Sequence, residues 1–124
     1  MTDTTRHQPE RARRRVLLAE DDQAVLKMTR LRLEHEGFEV VAATNGEEAL
    51  KQAAGHDGIV LALVDIRMPK LDGFQVCKRM KENPKTTHIP IIVFTASVSQ
   101  LQRLTDRCIE LGVACCMTRV KWTA

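Results

Sequence analysis

The chain has 124 residues, 44% of them hydrophobic and 28% charged, which suits one ordinary core and a single domain. Its formal charge of +3 misleads, because five arginines (Arg6, Arg11, Arg13, Arg14, Arg15) crowd residues 1–15 against Asp3 and Glu10, and the body that follows is neutral. A neutral body with aromatics at 3% argues against a nucleic-acid-binding face, the leader lacks a signal peptide's apolar core, and no run approaches the ~18 apolar residues of a membrane span.

Residues 1–14 therefore read as a flexible basic tail, residues 15–124 as the domain, and the protein as cytoplasmic. The cysteines agree with that compartment. Cys77, Cys108, Cys115 and Cys116 form no CxxC pair and have no histidine at zinc spacing, so they read as small buried hydrophobes. His7, His35, His56 and His88 lie among polar neighbours, and a surface position is expected for each.

In chain order, Val16 to Ala19 is a short apolar strand that ends on Glu20-Asp21-Asp22. Asp22 suits the cap of the next helix, because its carboxylate can accept from the first free N–H groups; that accounts for one acid of the three. The helix places Ala24, Met28 and Leu31 on one face, flanked by Val25 and Leu33, which predicts that this face meets the core, and Gly37 is a natural stop. Phe38 to Ala43 is a second strand. Asn45 then reads as a helix cap with Glu48 placed to reach back, and Ala49, Leu50 and Ala53 supply the inward side.

Ile59 to Val64 is an unbroken apolar run, suited to a central parallel strand buried on both faces, and it stops on Asp65. Pro69 and Asp72-Gly73 keep the following residues from continuing as strand. Phe74, Cys77 and Met80, with Val76 beside them, recur at helical spacing until Asn83-Pro84 breaks the pattern. Ile89 to Phe94 gives a fourth strand ending on Thr95-Ala96-Ser97. Leu101, Leu104, Cys108 and Leu111 trace a fourth helix closed by Gly112, and Val113 to Met117 is a fifth strand.

Strands alternating with helices at this spacing predict βαβ units, a parallel sheet and right-handed crossovers, that is, an α/β protein with a three-layer α/β/α sandwich. In such sheets the carboxyl ends of the strands carry the chemistry, and Glu20, Asp21, Asp22, Asp65 and Thr95 all fall there. Carboxylates packed together repel unless a cation joins them. An all-oxygen site only partly built from protein suits Mg²⁺, and a carboxylate beside it can act as a nucleophile toward a phosphoryl group. No glycine-rich phosphate loop follows Val16 to Ala19, which sets a nucleotide-binding enzyme aside.

At these residues the sequence closely resembles the receiver domain of two-component response regulators. The resemblance runs from Arg15 to about Val120 and rests on Glu20-Asp21-Asp22, Asp65 with Met68-Pro69 and Asp72-Gly73, and Thr95-Ala96. It implies a flavodoxin-like five-stranded sheet of order 2-1-3-4-5 and a phosphoacceptor switch rather than an enzyme. Asp65 would accept the phosphoryl group from a sensor histidine kinase or phosphotransfer protein. Asp21 and Asp22, with Asp65 and the backbone carbonyl of Arg67, would hold Mg²⁺, and Thr95 would bond a phosphoryl oxygen. Arg67 and Ser97 occupy the variable positions that overhang such a site.

The far end departs from the family's pattern. Cys116 stands in the place of an aromatic residue, Arg119 of a lysine and Val120 of a proline. Arginine keeps the charge, but its longer planar fork need not meet an aspartyl phosphate in the same geometry. The alternative to a working switch is therefore a receiver-shaped interaction module uncoupled from phosphorylation. Only Lys121, Trp122, Thr123 and Ala124 follow Val120, too few for the family's fifth helix. Sheet left bare there would be covered by a second copy in a homodimer with Trp122 as anchor, or by Trp122 folding back on its own sheet.

Overall fold

The structure is a computed structural model; it describes residues 14–95 and 101–118, with side chains described for residues 14–94 and 106–113. Nine elements alternate along these residues: β1 Arg15–Ala19, α1 Gln23–His35, β2 Glu39–Ala43, α2 Gly46–Gly55, β3 Ile59–Asp65, α3 Gly73–Glu82, β4 Ile91–Thr95, α4 Leu101–Leu111 and β5 Ala114–Thr118. The strands form one sheet of order β2-β1-β3-β4-β5, every pairing parallel, as expected for a flavodoxin-like α/β fold. None of the described helices is long and apolar enough to cross a membrane.

Each sheet face has its own core. Leu17, Ala19, Val41, Ala43, Ala62, Val64 and Val93 point to one side, where Ala49 and Ala53 of α2, Val76, Cys77 and Met80 of α3 and Cys108 of α4 cover them. Val16, Leu18, Val40, Leu63 and Phe94 point to the other, against Leu26 of α1. The alternation along β1 and β3 is the strand period of two, and β1 from Val16 and β3 from Ala62 are buried on both sides as their apolar runs predict, whereas Val60, near the start of β3, is 43% exposed. Cys77 and Cys108 are buried as expected, whereas Cys115 and Cys116 have no described side chains. His35 and His88 are exposed; His56 is half-buried, with Nδ1 3.0 Å from the Gln52 carbonyl oxygen.

The local signals account for the helix boundaries. Asp22 caps α1 by accepting from the N–H groups of Ala24 and Val25 at 3.0 and 3.1 Å. Asn45 caps α2 by accepting from Glu48 N–H at 2.8 Å, and Glu48 reaches back to accept from Thr44 N–H at 2.7 Å. Asp72 caps α3 in a reciprocal box with Gln75. Ile89 is buried as predicted yet precedes β4, because its N–H goes to the Thr86 carbonyl and Pro90 has none to give.

The face of α1 is a correction. Met28 and Leu31 are 51% and 56% exposed and Ala24 is exposed too, while Leu26 and Thr29 are buried and Val25 and Leu33 half-buried. The helix carries two apolar stripes on opposite sides, and Thr29 interrupts the one that packs, so it reads as the polar side. The three-residue link from β1, held by the Asp22 cap, fixes the rotation that chooses between them.

The expected basic tail, apart from Arg14, lies outside the described residues. So do the segment from Arg119 onward and, with it, the expected absence of a fifth helix and the Trp122 dimer.

Candidate functional site

The order β2-β1-β3 reverses direction between β1 and β3, so their carboxyl ends flank the crevice where an open α/β sheet binds its ligands. Register does the rest. Ala19 pairs with Val64, which brings Glu20 beside Asp65, and Asp65 pairs with Phe94, which leaves Thr95 one residue further along the neighbouring strand. The ladder continues past the strand ends, with Glu20 N–H donating to Ala43 carbonyl at 2.9 Å and Ile66 N–H to Phe94 carbonyl at 3.0 Å.

Glu20, Asp21 and Asp65 form one group in which a carboxylate oxygen of each lies within 4.8 Å of the others. Asp65 and Glu20 are 1% and 0% exposed, and Asp21 is exposed. Two unit charges at that separation repel by about 3.5 kcal/mol at an effective dielectric of ~20, less for exposed Asp21, which water screens, and a cation would relieve the repulsion. The donors are all oxygen, one of them opens to solvent, and a divalent cation preferring oxygen with room for its own waters fits that set. Both buried acids are held by the chain just beyond them: Glu20 accepts from Asp22 N–H at 3.0 Å and Asp65 from Arg67 N–H at 3.3 Å.

Asp22, expected as a metal ligand, is not in this group. Its carboxylate is turned to the first N–H groups of α1, and the acid grouped with Asp21 and Asp65 is Glu20. The signal was available: the apolar run ends at Ala19, so Glu20 is the first residue beyond the strand, as Asp65 is the last of its own. Asp22 is just as near in sequence, but its carboxylate is taken up by the cap of α1.

The loop after Asp65 is anchored by Met68, 9% exposed within the core, and by Gly73, whose N–H donates to the Ile66 carbonyl at 2.9 Å. Arg67 is exposed, next to the acids. Thr95 ends β4 in the expected place, but its side chain is outside the described ones, as are Ser97 and Arg119 altogether.

A family model of the response regulator receiver domain matches residues 16–119. PhoP of Bacillus subtilis, the alkaline phosphatase synthesis transcriptional regulatory protein, is 31% identical over 106 residues, covering 86% of this chain and 42% of its own. The transcriptional regulatory protein CpxR of Escherichia coli is 37% identical over 98 residues, covering 79% of this chain and 39% of its own. This chain therefore spans less than half of either relative. Among solved structures, the response regulator TrrA of Thermotoga maritima, in complex with Mg²⁺ and beryllofluoride, superposes with a TM-score of 0.72 at 27% identity over 85% of each chain. The match over most of its length, the parallel sheet order and the acids gathered at the switch point agree: the chain belongs to the response regulator receiver domain family of two-component signalling.

Proposed function

We propose that Asp65 is the phosphoacceptor of a Mg²⁺-dependent switch in the cytoplasm, written by a sensor histidine kinase or a phosphotransfer protein. The observation that carries this is the burial of Asp65 at the sheet's switch point with carboxylates of Glu20 and Asp21 within 4.8 Å. Glu20, Asp21, Asp65 and the Arg67 carbonyl would hold Mg²⁺. The ion, when bound, neutralises the acids and the incoming phosphoryl oxygens.

An Asp65 carboxylate oxygen attacks phosphorus in line with the phosphohistidine nitrogen; the P–N bond breaks, its electron pair stays on the imidazole, and an acyl phosphate forms. The acyl phosphate carries ~1.5 to 2 negative charges where the carboxylate carried one, and that change at Asp65 is the signal. Thr95 and Arg119 are proposed to receive them, the hydroxyl by donating to a phosphoryl oxygen and the guanidinium by ion pairing. Arg67, exposed beside the pocket, is proposed to limit the approach of water.

Asp65→Asn is the test. It leaves a side chain of the same shape, so the fold and its thermal transition should persist while labelling by acetyl phosphate is lost. Labelling retained in that variant would remove Asp65 from the reaction. In the parent, beryllofluoride with Mg²⁺ should shift amide resonances at the ends of β1, β3 and β4.

A further inference from the structure

The loop that carries Arg67 is wedged between the starts of two helices. On the α3 side, a Cβ added at Gly73 would lie 2.5 Å from the Asp65 carbonyl oxygen and 2.9 Å from Ile66 Cα. On the α2 side, a Cβ at Gly46 would overlap the carbonyl oxygen and Cβ of Leu71 and lie 2.8 Å from its carbonyl carbon, while Gly46 N–H donates to the Pro69 carbonyl at 3.4 Å. Between these contacts the chain makes a three-residue turn, Leu71 N–H to Pro69 carbonyl at 2.9 Å. Its central residue, Lys70, has φ 72°, the only positive φ outside glycine among the described residues. Lys70 Nζ stands 3.5 Å from a carboxylate oxygen of Glu47, the next residue of α2. A lysine stays in that conformation only where its surroundings impose it.

We infer that the first turn of α2, through Gly46, is a positioning element for the metal site: it presses the Pro69–Leu71 turn into its strained form and so fixes the backbone that presents the Arg67 carbonyl beside Asp65. The nearest atoms that a Cβ at Gly46 would meet are those of Leu71. Gly46 acts through the loop, and only a residue without a Cβ allows the two backbones to approach this closely. The inference rests on the proposed binding of Mg²⁺ by the acids.

The test compares two glycines of the same helix. Gly46→Ala meets the loop, whereas Gly55→Ala meets nothing within 4 Å. Mg²⁺ affinity is measured by calorimetry, and amide hydrogen exchange at Leu71 and Gly73 is followed in the metal-free protein. Gly46→Ala should weaken Mg²⁺ about tenfold, the loss typical of disturbing a group that supports a ligand, and speed exchange at both amides; Gly55→Ala should change neither. Lys70→Ile, a branched residue that resists positive φ, should reproduce the loss without altering α2, and it decides the matter alone if Gly46→Ala does not fold. Parent-like affinity and exchange in the folded variants would overturn the inference and leave the proposed switch standing. A parent that binds no Mg²⁺ would overturn both.

Discussion

Two loops at the same edge of the sheet do different work by different means. The link from β1 to α1 is three acids long, Glu20 to Asp22, and has no residue at positive φ. Its geometry follows from brevity: Glu20 and Asp21 bring their carboxylates to Asp65, and Asp22 is left to cap the helix. The link from β3 to α3, Ile66 to Asp72, is more than twice as long and holds its shape through Met68 in the core, Gly46 and Gly73 against its backbone, and Lys70 in a strained turn. In both, the buried acid accepts from the N–H two residues ahead, from Asp22 to Glu20 and from Arg67 to Asp65. In the proposed site the short loop would supply side chains, and the long one a carbonyl that has to be held in place.

The sharpest test of this division lies within the short loop. Asp21→Ala should lower Mg²⁺ affinity by at least about 10- to 100-fold, since even groups that merely support a ligand cost that much, and should leave stability unchanged or raised as repulsion is relieved. Asp22→Ala should do the reverse, removing about 1 kcal/mol of stability by loss of the cap while keeping Mg²⁺ affinity within a few-fold. Calorimetric titration and urea unfolding of the two variants read both quantities. Equal losses of affinity would mean that Asp22 leaves its cap to join the metal.

The long loop is tested by its contact with α3. In Gly73→Ala the new methyl meets the backbone of Asp65 and Ile66, so the loop or the helix start must move, at a cost of about 1–3 kcal/mol in urea unfolding. A variant as stable as the parent would show that the loop yields freely, and the contrast with the short link would fail. The smallest effect is expected at Arg67. Arg67→Ala should shorten the lifetime of the phosphorylated form by less than about tenfold, within ~1.4 kcal/mol of barrier. An unchanged decay of radiolabelled protein would mean that the guanidinium points to solvent and screens nothing.

The β3 run ending on Asp65, the caps at Asp22 and Asn45 and the inward positions Ala49, Ala53, Val76, Cys77 and Met80 were legible because each follows from local chemistry or from a repeat matching its element's period. The D-x-x-Q box at Asp72 is equally local. Glu20 was harder, since its place beside Asp65 depends on the register Ala19 to Val64 between strands forty residues apart in sequence. The inward face of α1 was not readable, because its two apolar stripes are nearly equivalent and only the link from β1 sets the rotation. The closeness of Gly46 to Leu71 belongs to the same class. Sequence by itself determined the alternation of strands and helices, the acids at strand ends and the family resemblance, because these are periodic or contiguous in the chain. Tertiary structure alone decided which acids share a site, which side of α1 is wet and which glycine holds the loop, because each depends on the distance between segments that are remote in sequence and meet only when the sheet is assembled.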